Sequence, residues 1–153
     1  MTDMFSTGNI MLNIARMTRK RGYEAYTVSK KTRMSLCQNR EDHYHTYIGT
    51  RTEHTIHRYF SWMTDLQDYG SISATYDLIR KIKRISPDII HLHDIVGWYV
   101  NIGILFTFLK KYNKPIVWTF HDCWAFTGRC IHFDSVKCNR WETGCGKCPQ
   151  IGY

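Results

Sequence analysis

The chain has 153 residues, 43% of them hydrophobic and 14% aromatic, with 5 Trp and 10 Tyr; this is one ordinary domain by length and excludes low-hydrophobicity disorder. Its longest apolar run, Val100 to Leu109, is broken by Asn101, Gly103 and Thr107 and falls short of the roughly 20 residues of a membrane-spanning helix, and MTDMFSTGNI has neither the basic nor the apolar region of a secretory signal. Lys and Arg total 21 against 13 acidic residues, a formal charge of +8, which suits a nucleic acid, an anionic membrane surface, a phosphorylated ligand, or simply a solvated basic surface.

In chain order, Ser6-Thr7-Gly8 reads as a small-residue turn. It opens an amphipathic helix with apolar Ile10, Met11, Ile14, Ala15 and Met17. Arg19-Lys20-Arg21 suits the end of that helix and Gly22 its stop. Tyr23 to Ser29 predicts a short strand, Lys30 to Asp42 a basic surface loop, and His43 to Ile48 another strand. A ragged helical pattern runs from Thr52 to Gln67 and breaks at Tyr69-Gly70-Ser71. Ser73 to Ile85 is a better helix, ending in Lys81, Lys83 and Arg84. Ile89, Ile90 and Leu92 then fit a buried parallel strand. Tyr99 to Tyr112 reads as a helix, Asn113-Lys114-Pro115 as a turn, and Ile116 to Phe120 as a second buried strand. A loop rich in Cys and Trp follows.

Helix and strand therefore alternate, which predicts an α/β fold: a Rossmann-like parallel sheet with helices on both faces. The turn at Ser6 should follow a strand, so the sheet is expected to lack its first one. Ligands of such sheets bind beyond the carboxyl ends of the strands. Ser6-Thr7-Gly8 sits there, as a phosphate-binding helix start or a plain cap. His91, His93 and Asp94 end one strand, with His91 and His93 on the same face. His121 and Asp122 end the next. Two neighbouring strands that both end in His-Asp point to a ligand or catalytic role; for Asp122 the bland alternative is a turn partner for the loop after it.

PDIIHLHD, KPIVWTFHDCWAFTGRC and WETGCGKCPQ, with STGNIMLNIARMTRKRGYEAY before them, resemble the N-terminal half of a bacterial glycosyltransferase family 4 enzyme. The closer likeness is to the subgroup of capsule, exopolysaccharide and colanic-acid-type synthesis. The resemblance runs from Ser6 to Gln150. It implies a GT-B architecture, in which residues 1–122 are a partial acceptor-binding domain and residues 123–153 a Cys/Trp-rich loop. The C-terminal donor-binding domain is then absent, so the chain is expected to be a fragment, inactive alone and weak in binding nucleotide sugars. The implied reaction is retaining transfer of a sugar from a nucleotide-diphosphate sugar to a saccharide acceptor, often lipid-linked, with no cofactor needed for the chemistry. His121 matches the family histidine near the transferred sugar. Thr7 and Gly8 match the loop that approaches the donor diphosphate, and His93, Asp94 and Asp122 fall on the acceptor side.

Five of the six cysteines lie between Cys123 and Cys148. Cys145-Gly146-Lys147-Cys148 has zinc-knuckle spacing, and Cys130 and Cys138 would complete a tetrahedral structural zinc site, with His132 or Cys123 as substitute ligands. Reduced structural thiols, disulfides and an iron–sulfur cluster are the alternatives. A rival reading of the whole chain is a basic zinc-knuckle module that binds nucleic acid through aromatic stacking. The basic residues are scattered over several helix ends, so no nucleic acid is expected. Arg16, Arg19, Lys20, Arg21, Lys30 and Lys31 instead suggest peripheral contact with the anionic inner face of the plasma membrane, and a cytoplasmic location.

Overall fold

A computed structural model describes residues 6–31, 43–64, 66–127, 130–145 and 148–149. Cys37 and most of the expected basic loop lie outside them. The elements are α1 (Ser6–Lys20), β1 (Thr27–Lys30), β2 (His45–Ile48), α2 (Arg51–Thr64), α3 (Ile72–Ile85), β3 (Ile90–His93), α4 (Ile102–Tyr112), β4 (Ile116–Thr119) and a single turn, α5 (Trp124–Thr127). Two short 3-10 turns, Asp134–Val136 and Arg140–Glu142, follow. The chain forms two compact units, one ending at Thr119 and one beginning at Phe120.

In the first unit the expected alternation is present, and its pairings are parallel. β1 pairs with β2 from Thr27↔His45 to Lys30↔Ile48. β3 pairs with β4 from Ile90↔Ile116 to His93↔Thr119. Among the described residues the strands thus form two two-stranded sheets rather than one continuous sheet. Each strand is four residues long, and each pairs along one edge only among the described residues. β4 was expected to be buried, yet Ile116 and Val117 are exposed. Trp118 packs against Phe106 of α4, their rings tilted with centres 5.4 Å apart.

The core gathers Ile48, Ile90, Ile95, Tyr99, Val100, Leu105 and Leu109, with Val28, Leu78 and Ile82 against it. α3 packs on α4 and β2, and α1 on β1. Lys110 and Lys111 close α4, and Lys83 and Arg84 close α3, where cations meet the negative end of the helix. Gly22, at a φ of 86°, takes the left-handed conformation just past α1, which glycine adopts without a steric penalty.

Two expected boundaries differ for physical reasons. Ser6-Thr7-Gly8 is the first turn of α1, not a turn before it. α4 begins at Ile102 rather than Tyr99, because Asn101 is its N-cap and accepts from the Ile104 N–H at 2.9 Å. Tyr99 and Val100 instead sink into the core from the bend before the helix.

α2 buries the opposite of what its composition suggests. His57 and Ser61 face inward, while Ile56, Tyr59, Trp62 and Met63 face solvent, Trp62 at 82% exposure and Met63 at 78%.

Candidate functional site

The carboxyl ends of β1 and β3 and the start of α1 meet in the first unit. Asp94 follows directly on β3 and sits at a φ of 36°, in the left-handed region a non-glycine residue rarely occupies. Its carboxylate accepts a hydrogen bond of 3.4 Å from the Thr7 hydroxyl. Its carbonyl accepts one of 2.9 Å from the Tyr99 hydroxyl. Gly8 is buried beside Thr7 in the first turn of α1. The positive end of α1 therefore already faces a carboxylate, which is a favourable pairing.

Lys30 ends β1 and reaches the same loop. Its ammonium donates to the Gly97 carbonyl at 3.3 Å and lies 5.7 Å from the centre of the Tyr99 ring. Burial lowers its pKa, and the charges of Asp94 and Asp68 oppose that shift. Lys30 was expected on the basic outer surface; it is half-buried and turned inward. Burial raises the Tyr99 pKa well above the ordinary tyrosine value, with the nearby carboxylates adding to the effect.

Beneath the loop lies a buried polar network. Asp68 has no exposed surface, and its carboxylate accepts from the Trp98 N–H at 3.3 Å. Burial raises its pKa, against the opposing Trp98 and Gly97 N–H groups. The Gly70 N–H donates to Nε2 of His57 at 2.9 Å. That leaves the ring proton on Nδ1, which donates to the Ser71 hydroxyl at 2.8 Å. The Ser71 hydroxyl donates in turn to the Trp98 carbonyl at 3.0 Å. Asn101 donates its side-chain N–H to the Tyr69 carbonyl, and its backbone N–H to the Thr75 hydroxyl at 2.7 Å. The segment 94–101 is thus fastened from α1, β1, α2 and α3 together. This explains how Asp94 and Trp98 (φ 58°) hold left-handed conformations.

His91 and His93 do share a face: their ring centres are 4.0 Å apart. Their depths differ. His93 is buried at 5% exposure, while His91 is exposed and lies 2.8 Å from the Thr119 hydroxyl through its Nε2.

His121 and Asp122 belong to the second unit. His121 is half-buried there. The Asp122 carboxylate accepts from the Trp124 N–H at 2.9 Å, so it holds the turn that opens α5, the structural role weighed above. In the same unit, among the described residues, Cys123, Cys130, Cys138, Cys145 and Cys148 are not joined in disulfides. The Cys130 thiol is pushed up by burial first, then by the neighbouring Cys148, Cys145 and Cys138. Residues 146–147, the middle of the CxxC turn, lie outside the described residues.

The structure thus brings Thr7, Gly8 and Asp94 together and sets His93 just before them on β3. Lys30, Asp68, Tyr99 and His57 are additions that sequence reasoning missed. Only the break at Tyr69-Gly70-Ser71, which adjoins Asp68, hinted at any of them. A cluster of an ammonium, carboxylates, hydroxyls and an imidazole at strand ends can grip a ligand rich in hydroxyl groups, since each hydroxyl both donates and accepts.

The sequence profile of Glycosyltransferase Family 4 matches residues 7–146. Over 81 residues the chain is 38% identical to the colanic acid biosynthesis glycosyl transferase WcaC of Escherichia coli (strain K12), a stretch covering 49% of this chain and 20% of WcaC. The chain therefore spans about a fifth of that relative's length. No solved structure matches the chain significantly. With a match that takes in nearly every element from α1 to the second 3-10 turn, the chain belongs to Glycosyltransferase Family 4.

Proposed function

We propose that the chain forms the acceptor-binding side of a retaining glycosyltransferase of surface polysaccharide synthesis. The sugar moves from a nucleotide-diphosphate sugar to a saccharide acceptor carried on a lipid. The observation that carries this reading is the cluster of Thr7, Lys30, His93, Asp94 and Tyr99 at the strand ends, supported by the family membership and the likeness to WcaC. In the transfer, the bond from the sugar's anomeric carbon to the diphosphate breaks with its electron pair leaving on the phosphate. The acceptor hydroxyl forms the new bond on the same face and gives up its proton to the departing diphosphate oxygen. Asp94 and His93 orient the acceptor hydroxyls. Thr7 and Gly8 face the donor diphosphate, with the charge of Lys30 offsetting that of Asp94. His121, in the second unit, is the residue that the family resemblance assigns to a hydrogen bond with the transferred sugar. Positive charge and backbone N–H donors stabilise the departing diphosphate, so no metal is needed for the step.

A lipid-borne acceptor places the protein at a membrane surface, on its cytoplasmic side. Among the described residues no helix is long and apolar enough to cross a membrane; the contact proposed for them is peripheral. The outward row of Ile56, Tyr59, Trp62 and Met63 on α2 suits insertion among headgroups, and the net charge of +8 suits an anionic bilayer. Of the basic residues of α1, Arg19 is engaged within the fold, donating to the Ala25 carbonyl at 2.8 Å. Lys20 and Arg21 remain exposed for the bilayer.

The test is a calorimetric titration of the chain with saccharide glycosides and with nucleotide-diphosphate sugars. Saccharide binding at Kd on the order of millimolar is expected, weakened about tenfold in Asp94→Asn, a loss of about 1.4 kcal/mol. Tight nucleotide-sugar binding together with an indifferent Asp94→Asn would overturn the acceptor role.

A further inference from the structure

α3 presents apolar side chains on two sides, and only one of them faces the core. Ala74, Thr75 and Ile79 are buried, and Leu78 and Ile82 pack against the core. On the outer side Ile72 and Tyr76 are each 54% exposed. There an open groove of about 580 Å³ runs along the helix, lined by Ile72, Ser73, Tyr76, Ile79, Arg80 and Lys83, with buried Ile79 as its floor. Ile72, Tyr76, Ile79 and Lys83 follow one another at steps of four, three and four residues. That is the spacing of a seam along which one helix receives the side chains of another.

The charge along the groove is graded. At its amino end Glu53 of α2 accepts from the Ser73 hydroxyl at 2.7 Å and from the Ala74 N–H at 3.1 Å, so its charge is held by the start of α3. Among the described residues no acidic side chain lines the groove itself. At the carboxyl end stand Arg80 and Lys83. The Arg80 side chain is 77% exposed and only 3.6 Å from Asp77 at its nearest, while Asp77 is also paired with Lys81. Lys83 lies 5.9 Å from the centre of the Phe108 ring. The groove therefore fits a partner that is apolar along its length and anionic at one end.

We propose that this groove docks an amphipathic helix of a partner protein, antiparallel to α3 and acidic in its first turn. Acidic residues suit the positive amino end of their own helix, and the antiparallel direction sets them against Arg80 and Lys83. A parallel helix would bring its carboxyl end there, where cations are favoured, and like charges would meet. A lipid-borne acceptor fits less well. Ser71, at the amino end of α3, holds the Trp98 carbonyl of the site loop, and Arg80 lies about 13 Å further along the helix. A diphosphate bound at Arg80 would keep its saccharide away from Asp94. A second copy of the chain would set a charge of +8 against +8. None of the lining residues belongs to the strand-end site, so docking here is independent of any transferase activity.

The test is fluorescence anisotropy with a labelled synthetic helix of about four turns, with glutamate in its first turn and leucine at its seam positions. Binding with a Kd on the order of 10 µM is expected, and about tenfold weaker binding when lysines replace the first-turn glutamates. Tyr76→Glu and Arg80→Glu should each weaken the acidic helix about tenfold, with the melting temperature unchanged because both residues are exposed. Arg80→Glu should in turn bind the lysine helix better than the wild type does. Lys20→Glu, the same charge change at the exposed end of α1, should leave binding as it is. The comparison of the two helices on the wild-type chain needs no variant, so a variant that fails to fold does not decide the outcome. No binding of the acidic helix, equal binding of the two helices, or equal losses in Arg80→Glu and Lys20→Glu would overturn the proposal. So would displacement of the helix by farnesyl diphosphate, or a dimer in sedimentation that Tyr76→Glu dissociates.

Discussion

His57 holds three segments with one ring. It accepts from Gly70, donates to Ser71 and, through Ser71, secures the Trp98 carbonyl. Burial lowers its pKa from the ordinary 6.5, so the folded protein keeps it neutral while the unfolded chain protonates readily. Its contribution to stability is therefore fully present above about pH 6.5 and is lost as pH falls from there towards the folded pKa. His54, also lowered mainly by burial, acts in the same sense. Asp68 acts in the opposite sense: burial raises its pKa above 3.8, so its contribution is present below that value and is lost as pH rises through the folded pKa. Urea unfolding should give a lower midpoint near pH 5.5 than near pH 7.5. His57→Phe should shrink that difference and cost on the order of 1–3 kcal/mol at the higher pH, since the Gly70 N–H loses its acceptor. An unchanged pH dependence in His57→Phe would remove His57 from this role. Gly70 is bound to the arrangement by shape as well, since a Cβ there would overlap the imidazole.

At the scale of elements, the sequence was most legible where one periodicity dominated. The Ile79–Ile82–Ile85 face and basic end of α3 mark it clearly, and the two-residue period of β3 puts His91 and His93 on one face, as their neighbouring rings confirm. α2 looked ragged because its apolar residues do not serve the core at all: His57 and Ser61 do. An apolar face without a packing partner has no fixed period to read. That outward face yields a prediction for the membrane proposal. The double substitution Trp62→Ser, Met63→Ser should weaken sedimentation with vesicles rich in anionic phospholipid by at least tenfold, given roughly 1.5–3 kcal/mol for each large side chain fully withdrawn from water. The melting temperature should barely move, because both residues are largely exposed. Wild-type binding should also fall as salt is raised. Vesicle binding that survives the double substitution would point the bilayer contact elsewhere.

At the scale of the whole molecule, the α/β alternation could be read because helices and strands announce themselves locally. The site could be read only in part. His93, Asp94 and Thr7 lie at positions the fold class itself marks as ligand-facing. Lys30, Asp68 and Tyr99 meet across tens of residues of chain, with nothing in their neighbourhoods to advertise it. Lys30 even sits at the edge of a basic run that reads as solvated surface. The fastening of segment 94–101 reverses the usual ranking of rigidity. A strand-to-helix connection is ordinarily the first part of a domain to exchange its amide protons with solvent. Here the Trp98 and Asn101 amides are engaged by buried partners, whereas β4 is half-exposed along its length. In deuterated buffer those two loop amides should outlast the β4 amides. A ligand arriving at Asp94 then meets a surface already frozen in place, and spends little of its affinity on ordering it.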